Sequence, residues 1–465
     1  MTRKSVLGVD LGTSAVKLLQ RFSDGTIIKE KERYEEITPK GWWDAITRAM
    51  ARMELASVEA IGLSSQVGTY IVDNGAVISW NDPIGAEELT ELKKTHSQEE
   101  FFAEISMPHP NIISYPLPRL MYIKKTYPAF QKVCQPKDFI CEKLTGKCVT
   151  DPYSWRGLAN LNTKIYSKKF LKDIGISEDV LPQIIDFTEV AGNTMKDVFP
   201  DSGLKEGIPV YVGLNDYYAS LLGMGIWHVG DMFDITGTSE HLGILEDRVD
   251  MRTEMVSGPY LRQHVHYGVT GSSGASLDFG LQFSETGEMD IEETLDHNPP
   301  IFLPYVKGER APIWDGNARG VYFGIQAGCS KEDMAYAVLE GVSFSLYHIY
   351  EKMGKPEAKE MRIAGGAAVN RTLGQIKAEL FSIPVKILKE HDTSALGACM
   401  VAELGMKWYQ NEEEAMTSSV EVEETIYPTG KYQDILKQRF VVYKELYPAL
   451  KDNFKQLGAN YIKIK

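Results

Sequence analysis

The sequence lacks most of the features that would place it quickly. It has no run of about 18 apolar residues, so no segment reads as a membrane span. It has no excess of positive charge: 50 Lys and Arg stand against 64 Asp and Glu, a net charge of −14. That argues against a dominant nucleic-acid footprint while leaving a local basic patch open, and makes acidity mainly a matter of solubility. The five cysteines, Cys134, Cys141, Cys148, Cys329 and Cys399, are odd in number and sparse, which excludes a disulfide scaffold. The first three recur every seven residues, but no C-x-x-C pair is present, and the strand-like Lys147-Cys148-Val149-Thr150 breaks any shared helical face. Buried free thiols are expected rather than a metal site. The start, Met1-Thr-Arg-Lys-Ser5, is basic but has neither the apolar stretch nor the small-residue cleavage site of a secretory signal, so a cytoplasmic protein is expected. There is no G-x-x-x-x-G-K-[ST] and no G-x-G-x-x-G after a strand, which removes the P-loop and dinucleotide folds. G-x-S-x-G and H-E-x-x-H are missing too.

What is present is a phrase that occurs twice. Asp10-Leu11-Gly12-Thr13-Ser14 and Asp234-Ile235-Thr236-Gly237-Thr238-Ser239 both end in Gly-Thr-Ser, and both follow a short apolar segment. This is a strand entering a tight turn, where glycine admits close backbone approach and the N–H and hydroxyl groups can donate to an oxyanion. Two unrelated hairpin turns would read the same way. Taken as a pair, the turns imply two similar lobes closing on one polyphosphate, as in a nucleotide-dependent phosphotransferase or ATPase.

At 465 residues, with 43% hydrophobic and 25% charged residues, the chain is a multidomain globular protein. The opening reads as a meander: strands over 5–10, 16–22 and 26–33, a helix over 42–53, and a strand over 58–63. Tyr70-Ile71-Val72 and Ala76-Val77-Ile78 flank Asp73-Asn74-Gly75, a hairpin signal. The stretch 89–186 is helix-rich and interrupted by prolines. A strand over 207–213 runs into Asn215-Asp216 and a short helix over 217–224. The order of the opening then repeats, with strands over 231–236 and 241–245, a capping box at Ser330–Asp333 opening a long helix, and strand–helix pairs at 361–381 and 385–404. The lobe boundary falls near 226, giving lobes of 1–226 and 227–465.

Three carboxylates stand at strand ends. Phosphoryl transfer needs a divalent cation on the phosphates and a carboxylate to orient and deprotonate the attacking hydroxyl. Asp10, ahead of the first turn, suits a metal shell; Asp216 suits the base, or else caps its helix. Asp234 is either a metal ligand or a structural part of its turn. Gly365-Gly366-Ala367, at a helix start, offers a flat backbone surface for a base or a phosphate, or a plain strand-to-helix turn.

These segments together resemble the FGGY carbohydrate kinases, the xylulose and glycerol kinase family of the actin/hexokinase-type ATPases. Gly8-Val-Asp-Leu-Gly-Thr-Ser-Ala-Val-Lys17 is similar to that family's first phosphate motif. Phe302 through Gly320 keeps its Gly-Glu-Arg and Asn-Ala-Arg-Gly elements, and 324–341 resembles its second signature. Arg362-Ile-Ala-Gly-Gly-Ala-Ala-Val-Asn370 resembles its adenosine motif, followed by Ala395-Leu-Gly-Ala398. The resemblance implies an α/β fold of two ribonuclease-H-like lobes with a cleft between them, and ATP and Mg²⁺ as cofactors. It implies Asp216 as base, with Asp10 and Asp216 at the metal. Nucleotide contacts would come from Gly12, Thr13, Ser14, Lys17, Gly237, Thr238, Gly274, Gly366, Ala367 and Asn370. The sugar would meet Gln66, Val67, Gly68, Trp80, Asn81 and Asp216. A small sugar or polyol, pentulose-like, is the implied partner, with no nucleic acid or membrane; a homodimer is compatible.

Three departures lie on the sugar side. Gln66-Val67-Gly68-Thr69 has glycine where the family's pentulose kinases carry His. Trp80-Asn-Asp-Pro-Ile84 lacks the usual Thr-Arg, and Gly213-Leu-Asn-Asp216 replaces a glycine-rich run. Gly68 is expected to leave room for a bulkier or differently placed substrate. A sugar-sensing protein of this fold that binds without phosphorylating is the alternative, and a chaperone-like ATPase is disfavoured by the Gly-Glu-Arg and Asn-Ala-Arg-Gly segments.

Overall fold

The computed structural model describes residues 3–461 except 74, 110, 253, 254, 281 and 283–288. Asn74 of the expected hairpin turn therefore lies outside the described residues, while its flanking strands pair antiparallel with Tyr70 opposite Ile78.

Two sheets organise the chain. In the first, β1 (Ser5–Leu11) pairs antiparallel with β2 (Ala15–Phe22), and β2 with β3 (Ile27–Arg33). On its other side β1 runs parallel to β4 (Val58–Ser65), and β4 parallel to β5 (Pro209–Asn215). Every residue of β1 is buried, as suits a strand covered on both faces. α1 (Pro39–Met50) covers the sheet with Trp42, Ile46, Ala49 and Met50. It starts three residues before the expected helix because Thr38 accepts the Gly41 amide and Pro39 supplies the first-turn φ. Pro116 and Pro136 likewise open the helices Pro116–Thr126 and Pro136–Thr145 of the middle stretch.

α2 (Asp216–Gly223) follows β5 and leads to the second sheet. There β6 (Met232–Thr236) pairs antiparallel with β7 (His241–Glu246), and β7 with β8 (Gln263–Val269). β6 runs parallel to β9 (Met361–Gly365), and β9 parallel to β10 (Val385–Leu388). The central strand order and sense match those of the first sheet, so the twofold phrase of the sequence reflects a twofold architecture. α3 (Ser273–Gly280) and α4 (Lys331–Lys352) pack together on this half. Ser330 and Asp333 form the expected reciprocal cap of α4, and Val338, Val342 and Leu346 are buried, with Met334 half-buried. α5 (Arg371–Phe381) links β9 to β10.

The halves meet through α6 (Thr393–Gly405), which belongs to the second half in sequence but lies on β1 and β4 and against α2. Glycine makes this approach feasible. A Cβ at Gly62 would fall 1.9 Å from the Ala398 carbonyl oxygen, and one at Gly397 would fall 1.9 Å from that of Ala219. Cys134, Cys141 and Cys399 are buried and Cys148 and Cys329 half-buried, all as free thiols. Among the described residues no helix is long and apolar enough to cross a membrane.

Candidate active site

The second turn opens onto a cavity of 690 Å³. Gly237, Thr238, Gly274, Gly366, Ala367 and Asn370 all line it, so the six residues expected on the nucleotide from the second half are brought together. The turn is locked from behind. The Gly274 amide donates to the Gly237 and Thr238 carbonyls at 3.0 and 3.2 Å, and a Cβ on Gly274 would sit 2.3 Å from the Gly237 oxygen. Thr236 donates its hydroxyl to the Ala364 carbonyl and accepts the Ala367 amide, both at 3.0 Å, which ties the turn to the Gly365-Gly366 segment. Asn370 caps α5 by accepting the Leu373 amide at 2.9 Å, and among the described residues its NH₂ makes no hydrogen bond. Leu277, Leu339 and Leu373 give the cavity an apolar wall, and Arg33 and Lys307 give it positive charge. Of the two cations only Lys307 fell in a segment the sequence singled out; Arg33 ends a meander strand and carried no signal.

Gly12, Thr13, Ser14 and Lys17 do not line that cavity. They form a separate turn joined to it through Arg33 and Tyr34: the Tyr34 hydroxyl donates to the Gly12 carbonyl at 2.5 Å and its amide reaches the Ser14 carbonyl at 3.4 Å. Thr13 and Ser14 are exposed. Lys17 sits opposite Asp10 across β1 and β2 and binds Asp392 at 2.8 Å. Burial opposes its charge, but Asp10, Asp392 and Asp216 together hold its pKa above the ordinary lysine value. Asp10 is buried, with Ser64 donating to Oδ1 at 2.8 Å and Ser394 to Oδ2 at 2.6 Å.

Asp216 is not the helix cap. Asn215 caps α2, its Oδ1 accepting the Tyr218 amide at 3.1 Å. Asp216 is the first helical residue; its Oδ1 accepts the Tyr217 amide at 2.8 Å, and among the described residues its Oδ2 has no hydrogen-bond partner. A break in the β4–β5 register between Tyr211 and Leu214 aims this end of the strand. Gly213 makes the break possible with φ +71 and a hydrogen-bearing α-carbon where a Cβ would lie 1.8 Å from the Leu63 carbonyl oxygen. Burial and the nearby Asp10 charge push the Asp216 carboxyl up to about 7, partly offset by the Tyr217 amide, Arg156 and Lys17.

Of the residues expected on the sugar, Gln66 is buried, its Oε1 accepting from Thr69 at 3.4 Å and its Nε2 reaching the Tyr34 hydroxyl at 3.5 Å. Val67 and Trp80 are half-buried and Asn81 is exposed. The Trp80 amide donates to Thr69 Oγ1, and the Arg310 guanidinium lies 5.4 Å over the indole. The expectation that Gly68 leaves room is overturned. Gly68 is buried with φ +82, and a Cβ there would meet Ser114 at 2.9 Å from its Oγ and 3.1 Å from its carbonyl oxygen. The space of the missing side chain is taken by Ser114, and Gln135 Oε1 accepts the Gly68 amide at 3.0 Å.

Asp234 resolves as structural. It is wholly buried and bound by Lys377 at 2.5 Å; Lys377 also binds Glu240 at 2.6 Å, and Glu240 accepts from Ser273 at 2.5 Å. The network braces both ends of the second turn and the start of α3. Cys134, Cys141 and Cys148 do not form a group with metal-ligating spacing among the described residues. Among the described residues the one group with metal-ligating spacing is Glu246, Asp250 and His266, and Arg252 already pairs with Asp250.

The model of the N-terminal domain of the FGGY carbohydrate kinases matches residues 5–223, and that of the C-terminal domain matches 234–406. The chain belongs to the FGGY family of carbohydrate kinases. This FGGY kinase is 26% identical to a xylulose kinase of Staphylococcus epidermidis over all of both chains. Its fold is that of a gluconate kinase from Lactobacillus acidophilus, at a TM-score of 0.84 and 24% identity over 98% of this chain and 100% of that one. A xylulose kinase from the same organism is as near, at a TM-score of 0.83 and 24% identity over the same shares. The protein is thus a phosphotransferase that uses ATP and acts on a small sugar-like substrate.

Proposed function

We propose that this FGGY kinase transfers the γ-phosphoryl group of ATP to a hydroxyl of a small sugar or polyol of about pentulose size, with Asp216 as general base. The observation that carries this is the Asp216 carboxylate. It stands at the start of α2, close enough to Asp10 and Lys17 to feel their charge, with its helix capped by Asn215, one oxygen unpartnered among the described residues and its pKa raised to about 7, near the value a base needs at neutral pH. The lobes are 1–226 and 227–465, with the adenine against Gly366, Ala367 and Asn370, the terminal phosphates against Gly237, Thr238 and Gly274, and the first turn with Lys17 closing from the other side. The sugar lies on the Gln66–Trp80 side, with Gln66, Val67, Trp80 and Asn81 facing it and Gly68 holding the backbone in place.

The substrate hydroxyl oxygen attacks the γ-phosphorus in line. Its proton passes to the free Asp216 oxygen as the O–P bond forms, and the bond from phosphorus to the ADP oxygen breaks. Lys17 and the turn N–H groups offset charge on the phosphates. The donor set at Asp10 and Asp216 is carboxylate and hydroxyl oxygen, which fits Mg²⁺; Asp10 keeps a second lone pair on each oxygen after accepting from Ser64 and Ser394. Bound there, the cation would neutralise phosphate charge. Such an enzyme works in the cytoplasm, where ATP is available. A coupled ADP-release screen over ketopentoses, aldoses, polyols and sugar acids tests the reading; release that never rises above the sugar-free rate would refute it.

A further inference from the structure

Four arginines are buried among the described residues: Arg21, Arg119, Arg156 and Arg439. Two are conventionally paired. Arg21 binds the buried Glu403 at 2.6 and 2.7 Å, and Arg439 binds the buried Glu340 at 2.7 and 2.8 Å. The other two, both on the sugar side, have no carboxylate within 4 Å among the described residues. Arg119 spends its hydrogen bonds on the carbonyls of Trp80 and Asp82 at 3.3 and 3.0 Å, leaving Nε and Nη1 unsatisfied.

Arg156 is 5% exposed and held by tyrosines alone. It donates to the hydroxyls of Tyr218 and Tyr267 at 3.1 and 2.5 Å, and its guanidinium lies 5.1–5.6 Å from the rings of Tyr115, Tyr217, Tyr218 and Tyr267. Tyr217 is the residue after Asp216, and its buried hydroxyl has no partner among the described residues. Its ring is 5.5 Å from that of His241, two residues past the second Gly-Thr-Ser turn, so the cage spans both lobes beside the base. A third guanidinium, Arg310 on the Trp80 ring, is half-buried and also lacks a carboxylate within 4 Å among the described residues. A buried cation without a counter-ion costs several kcal/mol unless something supplies one. This molecule pairs Arg21 with Glu403 and Arg439 with Glu340 in direct contact, whereas among the described residues Arg156 makes no ion pair and feels only the more distant charge of Asp216, the carboxylate proposed as base. His241 adds no positive charge, since burial, with Arg310 and Arg156 nearby, depresses it to about 3.

We infer that the phosphoryl acceptor is a sugar acid, whose carboxylate takes the place of the missing counter-ion at Arg156, with Arg310 as the second cation at the Trp80 wall. This rests on the proposed kinase reading of the same cleft. The planar guanidinium suits a carboxylate, and its two tyrosine hydrogen bonds fix the fork in advance. The other anion that enters the cleft is the γ-phosphate, and the test separates the two.

Binding is measured by calorimetry with a non-hydrolysable ATP analogue present, using matched pairs of equal chain length, gluconate with glucitol and ribonate with ribitol; ADP release is followed in parallel with ATP. The wild-type protein is expected to bind an acid at least about tenfold more tightly than its neutral partner. Arg156→Met should erase that preference while nucleotide affinity stays within about twofold, and Arg156→Lys should retain part of it. Neutral partners binding as well as the acids, or an acid preference that survives in Arg156→Met, would overturn the inference. So would a loss of nucleotide affinity as large as the loss of acid affinity, because the arginine would then serve the γ-phosphate. If Arg156→Met does not fold, Arg310→Gln and the wild-type preference decide it. Acid-selective binding without ADP release would sustain the carboxylate site and refute the kinase reading, so the two claims fail separately.

Discussion

Asn215 caps the helix that begins at Asp216, and this division of labour between neighbours is what frees the carboxylate. With the Tyr218 amide satisfied by Asn215 Oδ1 at 3.1 Å, Asp216 keeps an oxygen with no internal partner while standing close enough to Asp10 to feel its charge. A carboxylate so placed is expensive to ionise in the free protein and useful once a hydroxyl and a cation arrive.

That cost has a pH signature in the metal-free protein. The folded-state pKa of Asp216 is about 7 against an ordinary 3.8, so the folded state holds this proton more tightly than the unfolded chain. Its contribution to stability is intact below pH 4 and is lost as the pH rises through 7. Asp216→Asn removes the titration. The variant should melt with the wild type near pH 4 and progressively above it toward pH 8, in scanning calorimetry with chelator present. A difference in Tm that does not change with pH would contradict this.

Thr238 lines the cavity proposed for the nucleotide, is exposed and, among the described residues, makes no side-chain hydrogen bond. Thr238→Val should leave stability unchanged. It should raise the KM for ATP about 10- to 100-fold, the value of a hydrogen bond to a charged group, with the sugar KM within about twofold. Equal losses for both substrates would place the hydroxyl elsewhere.

Lys377→Met strands Asp234 and Glu240 behind the second turn with no counter-charge. Removing one partner of such a buried cluster costs about 3–5 kcal/mol. Urea unfolding should show that loss, and adding Asp234→Asn and Glu240→Gln should recover part of it. A loss below about 1 kcal/mol would mean that the network bears little load.

The strands of the two sheets, the paired turns and the glycine-rich segments that meet at the 690 Å³ cavity were legible in the sequence because they are local. Gly237-Thr238, Gly366-Ala367 and Asn370 carry glycine and capping chemistry at fixed offsets from apolar strands, and α4 announces itself through Ser330 and Asp333. What sequence did not show is set by partners far along the chain. Ser394 reaches Asp10 across 384 residues, and Lys377 answers the question left open at Asp234. Gly68 is the instructive error: an absent side chain reads as space, but whether Ser114 already fills it depends on how two loops pack. The roles of Asn215 and Asp216 were ambiguous for a different reason, since either residue type can cap a helix and only geometry assigns the bond. Arg156 carried no signal, because its meaning lies in the acid it lacks.

The most direct test is sugar-dependent ADP release by Asp216→Asn at saturating ATP and Mg²⁺, with nucleotide binding measured on the same preparation. The amide keeps the shape and removes the basicity, and a general base contributes about 10²–10⁴ in rate. Turnover should fall by that factor while nucleotide affinity stays within a few-fold. Turnover at the wild-type level would show that Asp216 does not take the proton and would contradict the account.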